Sequence, residues 1–250
     1  MSESMRMWTE IVFNTVYLIV VWGLVIAMIT RHKSMPESER PLRRILIWMF
    51  ALLALGDTGH VGFRVVAFLS GDLEKTISLF GKEAGLVGLG ALSTAVTVTF
   101  FYMLAVWLWK VRFNKDFGWF AWLLIAAGVV RLVIMAFPQN QWNSVVPPFG
   151  WSMARNIPLV LQGLGVAYLI LRDSVKTKDR VFRWVGISIL VSYGFYLPVI
   201  LFVQVLPVIG MLMIPKTLAY VAIAIIGYRA LFVQPPNLQH SAVIQAVNQS

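Results

Sequence analysis

Residues 45–69 read ILIWMFALLALGDTGHVGFRVVAFL: two apolar runs with GDTGHVGFR, residues 56–64, between them. The apolar parts have the length and composition of a membrane-crossing helix, about 20 residues for roughly 30 Å of hydrocarbon. Asp57, His60 and Arg64 are spaced i, i+3, i+7, so a helix carries them along one stripe. An ionisable side chain at the bilayer centre costs about 2.5–3.5 kcal/mol on insertion scales, so three on one stripe must face protein or water. They need partners, and the remaining helices are where to look for them.

Working outward, apolar runs of similar length recur through the whole chain. The 250 residues are 59% hydrophobic and only 13% charged, with a mean hydropathy of +0.77. A soluble domain of this size carries about 25% charged residues. The composition predicts an all-α polytopic membrane protein, a bundle of seven transmembrane helices, and the short alternating segments of a transmembrane β-barrel are missing from the sequence. Seven spans fit, at 8–30, 43–69, 84–109, 118–137, 151–171, 181–205 and 207–231. The first, preceded by MSESMRMWTE with no small-residue cleavage site behind it, reads as a retained helix. Residues 1–234 form one transmembrane domain, and 235–250 a polar tail.

Fourteen basic residues fall on one side of these spans, in the segments 31–44, 110–117 and 172–183 and at Arg229, against three (Arg6, Lys75, Lys82) on the other. The positive-inside rule then places the N-terminus outside and the C-terminus in the cytoplasm. It also accounts for the net charge of +10 without nucleic acid as a partner. There is no cysteine, so disulfides and thiolate metal sites are excluded. A zinc hydrolase of the intramembrane ceramidase type needs several histidines in its spans; only His60 lies in one, and no metal site is expected.

Four cations lie inside spans: Arg64, Arg131, Arg155 and Lys216. At a rise of about 1.5 Å per residue, the three arginines sit roughly 6–9 Å below the outer face, His60 and Lys216 about 14 Å, and Asp57 about 18 Å. All the span-embedded charge is thus expected in the outer half or near the midplane. Asn156, Tyr193, Tyr196 and Tyr220 extend the polar set, and the uncharged loop PQNQWNSVVPPFG, 138–150, reads as a lid over it. With Asp57 as the one anion among them, the four cations leave a net positive charge that an anion or water must relieve. Arginine forks suit carboxylate or phosphate, and Asp57 can pair with Lys216 or His60.

The expectation is therefore a cationic pocket in the outer half that binds an anionic or amphiphilic small molecule or lipid, receptor-like or carrier-like. Its ligand-binding residues would be Asp57, His60, Arg64, Arg131, Arg155, Asn156, Tyr193, Tyr196, Lys216 and Tyr220. Three alternatives stand beside it. One is a lipid-modifying enzyme with Asp57 and His60 as an acid/base pair. Another is a retinal-binding protein using Lys216. The third is a polar network that only fixes helix packing.

The strings GDTGHVGFR, FPQNQW (137–142), RNIPL (155–159), GFYLPV (194–199) and GMLMIPKT (210–217) resemble segments of a group of uncharacterised seven-helix bacterial integral membrane proteins. That resemblance covers helices 2 to 7. It implies a topology and a bacterial cytoplasmic membrane, but no activity. More loosely, seven helices with an outside N-terminus and a lysine in the seventh are similar to the retinal proteins. Microbial members carry an aspartate four residues before that lysine and a helix 3 counterion. Here Leu212 holds the first place, and Asp57 would have to serve from helix 2.

Overall fold

The computed structural model describes residues 3–33, 37–79 and 82–233. Seven long helices account for most of them: α1 (Glu3–His32), α2 (Arg40–Leu69), α3 (Leu86–Phe113), α4 (Trp119–Ala136), α5 (Phe149–Lys176), α6 (Arg180–Phe202) and α7 (Met213–Leu231). Among the described residues, seven segments are long and apolar enough to cross a membrane, the last including the 3₁₀ stretch Pro207–Leu212 ahead of α7. The chain is a polytopic α-helical bundle of the integral-membrane type. The tail expected at 235–250 lies outside the described residues.

Each helix follows its neighbour in sequence around a ring that α1 and α7 close, while α3 reaches across to α5. α1 shows how the pattern sets the packing. Tyr17, Val21, Val25 and Met28, at helical spacing, are buried; Val12, Val16, Ile19 and Ile26 on the other side are exposed. An exposed stripe of that kind has no place in water and fits hydrocarbon. The tightest seam joins α2 to α3. A β-carbon built on Gly56 would lie 1.8 Å from Thr97 Oγ1, one on Gly59 2.6 Å from Ser93 Oγ, and one on Gly90 3.0 Å from His60 Cα. Small residues on both helices let the backbones approach, as they do in membrane packing generally.

Helix ends differ from expectation where local chemistry decides them. α3 runs four residues past 109, to Phe113, and stops where Asn114 turns left-handed (φ 49°) and donates its N–H to Lys110 O. α5 continues to Lys176, and α6 starts behind Asp179, whose side chain accepts from Phe182 N. Pro158 and Pro198 stand inside α5 and α6 and each removes one helical hydrogen bond.

The all-helical reading omits one element. Ahead of α3, β1 (Thr76–Leu79) and β2 (Lys82–Gly85) pair antiparallel, Thr76 opposite Gly85 and Ser78 opposite Glu83. This hairpin is tied to the 138–150 loop at the same end of the bundle. Gly85 N donates to Asn143 Oδ1 (3.1 Å), and Asn143 Nδ2 donates to Glu83 O (3.0 Å). The loop itself is folded rather than loose: Asn140 Nδ2 donates to Ile134 O and Phe137 O, Trp142 Nε1 to Met135 O, and Gln204 Nε2 to Pro147 O. Together they cover the bundle end opposite the basic loops.

Candidate functional site

Close approach of α2 and α3 puts Asp57 against Thr94. Thr94 Oγ1 donates to Asp57 Oδ1 and Tyr17 OH, from α1, to Oδ2, both at 2.7 Å. The carboxylate is thus held as an acceptor on both oxygens. One turn along, His60 packs its backbone against Gly90, and its Nδ1 is sealed from solvent with no hydrogen-bond partner among the described residues. Arg64, a turn further, is exposed. The stripe therefore exists, but it runs from a bonded carboxylate in the helix seam to a guanidinium at the surface.

Lys216 lies in the first turn of α7. Its Nζ sits 4.7 Å from the ring centre of Tyr196 and 5.4 Å from that of Tyr220. Among the described residues no carboxylate oxygen comes within 4 Å of it, although Asp57 acts on both Lys216 and His60 through space. The rings around it are fixed. Tyr220 OH and Tyr102 OH share a hydrogen bond of 2.7 Å, Tyr193 OH donates to Leu159 O (2.8 Å), and Tyr196 OH donates to Asn156 Oδ1 (3.1 Å). Phe101 packs edge-on against Tyr102 and Tyr220. A cation over aromatic faces gains about 2 kcal/mol or more when desolvated, which offsets part of the cost of burying an ammonium.

Arg131 and Arg155 are held differently. Arg131, 2% exposed, donates Nε to Arg155 O (2.8 Å) and Nη1 to Ala95 O (2.8 Å) and Thr99 Oγ1. It ties α4 to α3 and to α5 beside the turn that Pro158 interrupts. Arg155 donates Nη1 to Asn140 Oδ1 (3.2 Å) and lies 4.4 Å from the ring centre of Trp142. These two guanidiniums hold helices and loop together, so the shared cavity of four cations expected from charge counting divides into two arrangements. Lys216, Tyr196, Tyr220, Asp57 and His60 form one. Arg131 and Arg155, with Asn140 and Trp142, form the other, and Tyr196, bonded to Asn156, stands between them.

Sequence reasoning missed Tyr17, Thr99, Tyr102, Asn140 and Trp142 as partners. Two of them carried a signal: Asn140 and Trp142 sit in the loop already read as a lid. The expectation that buried charge stays out of the basic half also needs correction. Asp173, 2% exposed, is there in α5, accepting from Trp109 Nε1 (2.8 Å) and Arg172 Nη2 (2.7 Å), and Arg43 is buried in α2. The physical reason is the extra length of α5, which carries Asp173 inside the bundle rather than into a loop.

No protein-family model matches the chain, and neither curated proteins nor solved structures include a match.

Proposed function

We propose that the protein sits in a bacterial cytoplasmic membrane, N-terminus outside and C-terminus cytoplasmic, and binds an anionic amphiphile through Lys216. The observation that carries this reading is the lysine ammonium inside the bundle, stacked on Tyr196 and Tyr220, with no carboxylate within 4 Å among the described residues. A carboxylate or phosphate headgroup would supply the missing charge, and His60, whose buried Nδ1 lacks a hydrogen-bond partner among the described residues, would be its neighbour. Arg64, exposed further along α2, supports entry of an anion from the headgroup layer. Orientation rests on the fourteen-to-three distribution of basic residues. The arginines 131 and 155 shape the site without spending donors on the ligand.

The enzyme alternative draws on the same unpartnered His60 Nδ1, one helical turn from Asp57. Against it, both Asp57 oxygens are committed to hydroxyl donors, which suits an orienting role better than a base. A retinal-binding protein would form a Schiff base at Lys216; a red-shifted band on adding retinal, bleached by borohydride and absent in Lys216→Ala, would favour it.

Binding is tested with a fluorescent long-chain fatty acid on the detergent-purified protein. The wild type is expected to bind it, and Lys216→Met to bind at least about tenfold more weakly, the loss of one charge-assisted contact of about 1.5–3 kcal/mol. Equal binding by both would remove Lys216 from the site.

A further inference from the structure

The basic end of the bundle carries a concavity on turns separate from the Lys216 region. A cleft of about 640 Å3 opens between the α3–α4 turn and the α5–α6 turn, lined by Arg112, Asn114, Thr177, Lys178, Asp179 and Arg180 among others. Its charge is unbalanced by construction. Arg112 is spent: Nε donates to Asp179 Oδ2 (2.9 Å), Nη1 lies 3.6 Å from Glu39 Oε1, and the guanidinium rests 4.9 Å from the centre of the Phe182 ring. Asp179 is spent as well, because its other oxygen caps α6 through Phe182 N. Lys178 and Arg180, on either side of Asp179, are exposed and have no carboxylate within 4 Å among the described residues. The cleft thus has a neutralised floor and two cations at its wall.

Its height along the bundle comes from a separate observation. Trp119, the first residue of α4, and Trp184, one turn into α6, are both strongly exposed beside these turns. Tryptophans standing out of a bundle at helix ends mark the headgroup layer. A cleft with two free cations at that level meets phosphate.

We propose that this cleft binds a phosphate group through Lys178 and Arg180, presented by an anionic phospholipid headgroup or by a soluble phosphate ester. Lys178 adopts a left-handed conformation (φ 58°), and Asn114 on the facing turn does the same (φ 49°), so both turns that border the cleft are tight. Basic pockets at the cytoplasmic ends of membrane helices recognise anionic lipid heads.

The test is native mass spectrometry of the full-length protein in detergent, with phosphatidylglycerol or phosphatidylcholine added, and in a separate arm with glycerol 3-phosphate. The wild type should retain phosphatidylglycerol in preference to phosphatidylcholine. K178Q/R180Q should lose about tenfold or more of that preference. The charge-matched control K115Q/K176Q, whose lysines do not line the cleft, should keep it. Thermal unfolding of both variants close to that of the wild type excludes misfolding. Retention of the lipid, lost in K178Q/R180Q alone, identifies a lipid source; glycerol 3-phosphate bound with the same dependence and no lipid preference identifies a soluble one. Binding of neither by the wild type, or equal losses in the control variant, would overturn the proposal.

Discussion

Arg131 shows how far charge counting goes. Its position inside an apolar span demands acceptors, and anions are the obvious ones. The bundle instead offers it the carbonyls of Ala95 and Arg155 and the hydroxyl of Thr99. Hydrogen bonds from a charged donor are worth about 1.5–3 kcal/mol each, so three of them can hold a guanidinium without any counterion. Arg131→Lys cannot reach all three acceptors, because an ammonium lacks the fork geometry. We expect it to destabilise the bundle by about 2–4 kcal/mol, read by thermal unfolding in detergent, while the folded fraction still binds the fatty-acid probe. Normal stability with lost binding would mean that the guanidinium serves the ligand instead. The Asp57–His60–Arg64 stripe and the presence of Lys216 within the seventh span were legible from residue type and spacing alone; that Lys216 rests on tyrosine rings rather than on Asp57 was not. Arg131's partners were not, since backbone carbonyls leave no mark in a list of side chains.

Among the elements, the α2–α3 seam positions Asp57, and its glycines test that directly. Gly56 faces Thr97 so closely that any side chain must displace α3, whereas Gly62, two turns along α2, has open space around it. Gly56→Val should cost about 1–3 kcal/mol by overpacking. It should also part the Asp57–Thr94 hydrogen bond, while Gly62→Val changes thermal stability little. Similar behaviour of the two variants would contradict the seam. The helices themselves were readable because a bilayer leaves the backbone few alternatives, and runs of about 20 apolar residues announce themselves. The β1–β2 hairpin was hidden for the opposite reason. Four-residue strands bearing Thr, Ser, Lys and Glu carry no periodic signal, and their pairing is anchored by Asn143, more than fifty residues away.

For the molecule as a whole, the two ends are chemically distinct. One is covered by the hairpin and the 138–150 loop; the other gathers the basic turns, the buried Asp173 and the cleft bordered by Lys178 and Arg180. A reporter fused after residue 249 should behave as cytoplasmic, and one inserted near Asn143 as external, because the basic turns resist translocation. The reverse pair of results would invert the proposed orientation and leave the helical ring unchanged. The sharper question concerns the interior. A lysine stacked on tyrosines and short of a counter-charge should come out of the membrane with an anion attached. Native mass spectrometry of the detergent-purified wild type beside Lys216→Met answers it in one comparison. The account predicts a co-purifying anionic species on the wild type that is missing from an equally folded Lys216→Met; the same bound complement on both proteins would contradict it.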